Sequence, residues 1–454
     1  MTIAATRRPS RSREETTLHD QQDIAIARSA PPPDRSRPAG TCAALAIWML
    51  VIGATVQEII GRSEIFSFGF YTFHLIDPAP VAAILAVAAY LAEGRPRWSI
   101  FAAPVLVMAM LIGINLLRGV AIAPDAALLW ARANLGIAAF LMLAIAMRPD
   151  VTIMRAARRA LIFGSLVLGA LVMLRLLVSP TLFMAPDAVG AETLQDGRPL
   201  SAQGAFLLVL ASLMLASELL QRRSTLLDPI TIWAGLLPFL TLLTRQGTTS
   251  IALLASLLAV VMLQQGPHRQ SRALLAAVGA IVALGLLAAA LPSLVETQDF
   301  TQRTGNLGTR REIWQSLMTL WHELPLMAQL FGLPAGERPA LIIFANGGFQ
   351  PWPYSIHSMY FGALPLMGYV GALAYIVLLG VAGGKALTAT LSHHRPIPAF
   401  ALACLLATTI FSVSYEVRHS EILGLFLTIW WLRANTARFS NAPRLQAYGA
   451  QTSR

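Results

Sequence analysis

Charge is scarce in this chain. Only 13% of its 454 residues are Asp, Glu, Lys or Arg, whereas 56% are hydrophobic. A soluble domain carries roughly 25% charge, so an ordinary soluble globular protein is excluded. Cysteine is nearly absent. Cys42 and Cys404 both fall in apolar runs, and no disulfide framework is expected. Lysine is reduced to Lys385 alone, so the net charge of +11 is carried by arginine. Those arginines are dispersed over many intervals and form no basic face, which argues against nucleic acid as a partner. No HExxH, P-loop or GxSxG motif occurs. The eight histidines lack metal-ligand spacing, and His393-His394 is an adjacent pair that cannot chelate from one helical face. No internal repeat is visible. Chemistry without a metal, without a cofactor and without ATP is the expectation.

What the chain has in abundance is apolar stretches of about 17–25 residues, the length of a membrane-crossing helix. The expected class is all-α, a polytopic membrane protein of about twelve transmembrane helices. The spans are read at about 42–60, 76–92, 99–117, 124–147, 160–178, 202–220, 229–244, 247–264, 273–292, 357–381, 397–414 and 420–434. The spans at 229–244 and 420–434 are short, which suits tilted or half-inserted segments. Residues 1–40 hold seven arginines and the run Pro31-Pro32-Pro33. They cannot bury enough apolar surface to fold, so a disordered basic tail is expected. The first apolar run begins near Thr41, too late for a signal peptide.

Orientation follows from arginine. With the N-terminus inside, 23 of the 34 basic residues fall in cytoplasmic intervals, as the positive-inside rule requires. Both ends are then cytoplasmic, including a tail at 435–454. The opposite, periplasmic side carries one large late loop, roughly 293–356, between the first nine spans (41–292) and the last three (357–434). A loop of that length usually carries function. Within it Thr309–Leu324 forms an amphipathic pattern, with Ile313, Leu317, Leu320, Trp321 and Leu324 on one side. Phe331–Ile343 is apolar with Gly and Pro breaks, and a cap of short helices is expected there.

Eleven basic residues remain outside the cytoplasmic set: Arg62, Arg118, Arg132, Arg175, Arg198, Arg245, Arg303, Arg310, Arg311, Arg338 and Arg418. Fixed positive charge on the outer face of a membrane protein suits an anion. Arg245 stands in the polar break Thr244-Arg245-Gln246-Gly247 between two spans, where backbone N–H groups at a helix start sit beside a guanidinium, a geometry for phosphate. The bland alternative is a turn with a snorkelling arginine. Arg310 and Arg311 are expected at the start of the amphipathic helix, where cations are mildly unfavourable unless an anion joins them. An ion pair with Glu312 or Glu323 is the competing reading. Arg132 lies deep in a span and needs a partner or a polar cavity, whereas Arg175 can simply snorkel. His357 opens a helix beneath the large loop and titrates near neutral pH, so it can accept a proton from a hydroxyl. It can equally be an interfacial hydrogen-bonding residue, and His322 and His419 are rivals.

Three motifs in this order carry a resemblance. Thr244-Arg245-Gln246-Gly247, Arg311-x-x-Trp314 and His357-Ser358-x-Tyr360 followed by Gly368-Tyr369-Val370-Gly371 resemble the bacterial O-antigen ligase / O-antigen polymerase superfamily. Its usual pattern is an S-R-G-like break, a G-R-x-x-W loop and H-N-x-Y before a glycine-flanked stretch. Ser358 stands for the usual Asn, Thr309 for the Gly, and Gln246 separates Arg245 from Gly247. The chain is most similar to the exopolysaccharide repeat-unit polymerases of that superfamily.

The resemblance implies an inner-membrane glycosyltransferase. It would polymerise undecaprenyl-diphosphate-linked oligosaccharide onto a growing polysaccharide acceptor at the periplasmic face, with chain-length and export proteins as partners. It implies His357, Arg311 and Arg245 as catalytic residues and Arg310, Arg132, Trp314 and Tyr360 as substrate-binding ones. A ligase that transfers glycan to lipid A core or protein is the alternative within the superfamily. A polysaccharide transporter or flippase is the alternative from another class. A flippase, however, should place charge along the membrane centre and show symmetry between its halves.

Overall fold

In the computed structural model, the described residues are 38–60, 64–68, 71–93, 99–147, 151–178, 199–219, 228–244, 246–263, 297–337, 341–345, 348–352, 356, 358–392, 398–415 and 419–440. The helices are α1 (Pro38–Ile60), α2 (Pro78–Ala92), α3 (Ala102–Ile122), α4 (Pro124–Ala146), α5 (Val151–Val178), α6 (Ala202–Leu219), α7 (Pro229–Leu243), α8 (Gly247–Leu263), α9 (Thr297–Glu323), α10 (Leu326–Phe331), α11 (Met359–Ser392), α12 (Pro398–Ser414) and α13 (His419–Ser440). Proline opens several of them, where its missing N–H costs nothing. In α7, Pro229 follows Asp228, whose carboxylate accepts from the Ile230 N–H at 3.0 Å and so satisfies a free helix-end donor.

This is a helical membrane protein. Among the described residues, five helices are long and apolar enough to cross a membrane, and α4 makes a sixth if its two halves, bent by 48° between Arg132 and Asn134, count as one span. Shorter apolar helices lie at Pro78–Ala92, Pro229–Leu243, Gly247–Leu263 and Ala399–Ser414. The span expected at 273–292 lies outside the described residues. The segment expected to be shortest, 420–434, belongs to the 22-residue helix α13.

Helix α6 is the axis of the bundle. It is apolar all round, as a helix buried on every side must be, and 83% of its apolar window is buried. It packs against α5, α7, α8, α12 and α13, while α3 and α4 pair with each other and α3 leans on α11. Apolar side chains point outward as well: Leu117 is 72% exposed and Met262 75%, as expected where the solvent is lipid.

The two ends of the bundle differ in their polar chemistry. At one end Arg158 makes a bidentate pair with Glu218 at 2.5 and 3.0 Å. Nearby in kind, Arg433 donates to the carbonyls of Ala144 and Met147 and so caps the C-terminus of α4. At the other end lie α9 and α10.

Several sequence expectations need correction here. The loop helix begins at Thr297, twelve residues before the expected start at Thr309, so Arg310 and Arg311 stand in the middle of α9 and the helix-terminus argument for them fails. The cap expected to be short helices holds one, α10, followed by an antiparallel hairpin, β3 (Leu341–Ala345) with β4 (Gly348–Trp352). A second hairpin, β1 (Glu64–Phe68) with β2 (Tyr71–His74), joins α1 to α2. The amphipathic face of α9 is as expected: Ile313, Leu317 and Trp321 are fully buried, with Leu320 and Leu324 packed beside them.

Helix α11 is broken. Met367 and Gly368 have non-helical backbone angles, and Gly368 has φ +65. Into this break fits the chain just after α10. The Leu333 N–H donates to the Pro365 carbonyl at 3.0 Å and the Ala335 N–H to the Asn115 carbonyl at 2.8 Å. The Asn115 side-chain amide donates to both the Phe331 carbonyl (2.7 Å) and the Leu366 carbonyl (3.0 Å). Arg118 donates to the Gly332 carbonyl at 3.1 Å. A Cβ at Gly368 would lie 2.3 Å from the Leu330 carbonyl oxygen, so the close approach requires glycine at that position.

Candidate active site

The capped end of the bundle gathers residues from five stretches of sequence. Arg310 lies over the Tyr415 ring, its guanidinium carbon 5.9 Å from the ring centroid, within the range of a cation–π attraction. The Tyr415 hydroxyl donates to the side-chain oxygen of Gln246 at 3.2 Å. The Gln246 amide nitrogen donates to the Leu200 carbonyl at 3.1 Å. That donation fixes which way the amide faces, so its oxygen is the atom left to accept from tyrosine. Helix α9 is thereby tied to the break between α7 and α8 and to the start of α6.

Trp314, one turn on from Arg310, ties α9 to the start of α11. Its indole N–H donates to the Ile356 carbonyl at 3.0 Å. Its ring stacks on Phe361 with centroids 4.9 Å apart and planes 15° apart. Beside this pair runs an open groove of about 570 Å³, lined by Arg311, Gln315, Met318, Thr319 and His322 together with Trp314 and Phe361. Arg311 is exposed, and among the described residues no carboxylate pairs with it. An exposed guanidinium lining a groove with an aromatic wall can hold an anion through its planar fork.

The other expected site residues are placed as follows. Tyr360 is half-buried, and its hydroxyl donates to the Thr409 carbonyl at 3.2 Å. It faces α12 and sits 6.0 Å from the Tyr375 ring. Tyr375 in turn shares a hydrogen bond with Ser412 at 3.2 Å, and Ser358 donates to the Ser412 carbonyl at 3.4 Å. Arg132 has the partner its depth demands, Asp77, at 3.2 Å. Asp77 also accepts from the His74 N–H at 2.8 Å, so Arg132 serves the α2–α4 junction. His357 and Arg245 lie outside the described residues, although Thr244, Gln246, Ile356 and Ser358 beside them are described.

Two further arginines of the eleven have structural work. Arg118 holds Asn115 at 2.8 Å and the cap carbonyl of Gly332. Arg175 donates to the carbonyls of Glu58 and Pro199. Glu58, buried in the last turn of α1, accepts from the Ser201 N–H at 2.9 Å and from the Ser201 hydroxyl. It caps the N-terminus of α6 from another helix and fixes the strap that presents Leu200 to Gln246.

Sequence reasoning missed Tyr415, Gln246 and Glu58. Gln246 stands in the sequence as part of the polar break and as the residue that separates Arg245 from Gly247, with no partner of its own foreseen. Its signal was polarity in a short break between two apolar helices. Among the described residues, no three of His, Cys, Asp and Glu converge as metal ligands. No protein-family model matches the sequence, and no curated protein matches it.

Proposed function

We propose that the chain is a glycosyltransferase of the bacterial inner membrane. It polymerises undecaprenyl-diphosphate-linked oligosaccharide repeat units into an exopolysaccharide at the periplasmic face. The observation that carries this reading is the meeting of three motif segments, far apart in sequence, at one end of the bundle. Arg310 and Gln246 share Tyr415, and Trp314 spans from α9 to Ile356 and Phe361. The reading includes twelve spans with both termini in the cytoplasm. It is supported by the separation of Arg158 and Arg433 from Arg118, Arg175 and Arg310, whose contacts lie at opposite ends of the bundle.

The reaction is a displacement at the anomeric carbon of the donor. An acceptor sugar hydroxyl attacks that carbon, a new C–O bond forms, and the bond to the lipid diphosphate breaks. Arg311 and Arg245 hold the diphosphate and stabilise the charge that grows on its departing oxygen, with Arg310 beside them. His357 takes the proton of the attacking hydroxyl. Trp314 and Phe361 wall the approach, and Tyr360 braces α11 against α12. Much of the rate comes from positioning, because a diphosphate is already a good leaving group.

The test is transfer by the purified chain in proteoliposomes supplied with lipid-linked oligosaccharide from the host strain. Polymer formed by the purified chain, with long chains lost and single units retained in a deletion strain, is the expected result. Loss of glycan from lipid A core with normal polymer overturns polymerisation in favour of ligation. Movement of donor across the bilayer without new glycosidic bonds overturns glycosyltransfer altogether.

A further inference from the structure

We infer that the segment from Leu326 to Ala335 is a re-entrant membrane element, and that the acyl chains of the bilayer cover the Leu326–Met327 face of α10. Depth can be read along two independent helices. Asn115, which holds the Phe331 carbonyl, lies thirteen residues from the start of α3 at Ala102. At 1.5 Å per residue that is about 20 Å. Gly368, which touches Leu330, lies seventeen residues before Lys385, about 25 Å along α11. On the proposed topology Ala102 and Lys385 mark the cytoplasmic face, and both distances fall short of the roughly 30 Å of the hydrocarbon core. The segment that meets these residues therefore sits below the membrane surface.

Its composition and bonding fit that depth. From Leu324 to Gly336 no residue is charged; Glu323 and Glu337 bracket the run. Non-helical backbone survives in a membrane only where its polar groups find partners in protein. Here the N–H groups of Gly332, Leu333 and Ala335 all donate to carbonyls. The carbonyls of Phe331 and Gly332 accept from Asn115 and Arg118. The break in α11 supplies its own loose carbonyls, Pro365 and Leu366, as acceptors. Gly332 to Ala335 are buried, while Leu326 and Met327 are 66% and 65% exposed. Leu117, two residues beyond Asn115 on α3, is similarly bare at 72%. Lipid is the partner whose chemistry matches two bare aliphatic side chains at that level.

The experiment uses nitroxide labels on the full chain in lipid bilayers, after Cys42→Ala and Cys404→Ala. Labels at Leu326→Cys and Met327→Cys are compared with one at Glu337→Cys. Oxygen concentrates in lipid and a nickel chelate in water, so their relaxation of each label reports the surroundings. Relaxation by oxygen several-fold above that by nickel at both α10 positions, with the reverse at Glu337→Cys, is expected. Nickel dominating at Leu326→Cys and Met327→Cys would place α10 in water and overturn the inference. Shielding from both agents would mean that protein covers the face, which overturns it equally. None of these outcomes depends on the chain's enzymatic activity.

Discussion

Replacing Gly368 with alanine should unlatch the loop from the bundle. The residue occupies φ +65 and ψ −170, a backbone region that is essentially glycine's own and costs a side-chain-bearing residue about 1–3 kcal/mol. The new methyl would also lie 2.3 Å from the Leu330 carbonyl carbon and oxygen, so backbone must shift. That shift strains the Leu333-to-Pro365 hydrogen bond and the two bonds from Asn115, each contributing about 1 kcal/mol. A loss of about 3 kcal/mol or more is expected. Gly380→Ala on the same helix is the control. A Cβ there meets nothing within 4 Å, and alanine's better helix propensity predicts a neutral change or a gain of up to about 1 kcal/mol. The assay is thermal unfolding in lipid nanodiscs, followed by tryptophan fluorescence, with proteolysis of residues 324–337 as a second reading. Gly368→Ala should melt well below wild type and be cut faster. Equal melting of the two variants would refute the latch.

Arg311→Ala and Arg245→Ala should abolish transfer at near-normal membrane levels. Arg311→Lys should recover only part, because an ammonium lacks the bidentate fork; full activity in both Arg311 variants would make it a surface residue. His357→Ala should lower single-turnover transfer by about 10²–10⁴-fold at saturating donor. His357→Gln should behave like alanine if the residue is the base; wild-type rates in His357→Ala would pass the role to His322 or His419. Reporter fusions at Gly94, Gln221 and Gly384 should read cytoplasm, and at Asp196, Glu337 and Arg418 periplasm. A cytoplasmic reading at Glu337 would end the active-site proposal.

Most of the helices were legible because long apolar runs announce themselves, whatever they pack against. The buried face of α9 was legible too, since Ile313, Leu317 and Trp321 recur at helical spacing. The first half of α9 was not, because Thr297 to Thr309 carries no apolar stripe. The β3–β4 hairpin had a signal of its own: Asn346-Gly347 stands between Leu341–Ala345 and Gly348–Trp352, a dipeptide that suits a tight turn. The glycines of Gly368-Tyr369-Val370-Gly371 entered as a family pattern. Their physical reason, a helix break that admits another segment, exists only once Leu330 is in place. Tyr415 and Gln246 were invisible as partners for the same reason: they lie 169 residues apart in sequence, and local pattern carries nothing about such contacts.

Asn115 has a consequence for the order of assembly. Its one amide bonds a carbonyl 216 residues downstream and another 251 residues downstream. During synthesis it must wait, with its donors unmatched, until most of the chain has been made. Contacts of such separation form late, after the chain between them has been ordered. The latch around Asn115 therefore closes near the end of biogenesis, when α11 has reached α3. An early helix inserted wrongly would leave nothing for the loop to close upon, and the polypeptide would remain open to proteases at the stretch that should have been sealed. One side chain from the first third of the protein is thus satisfied by carbonyls only when its last third is in place.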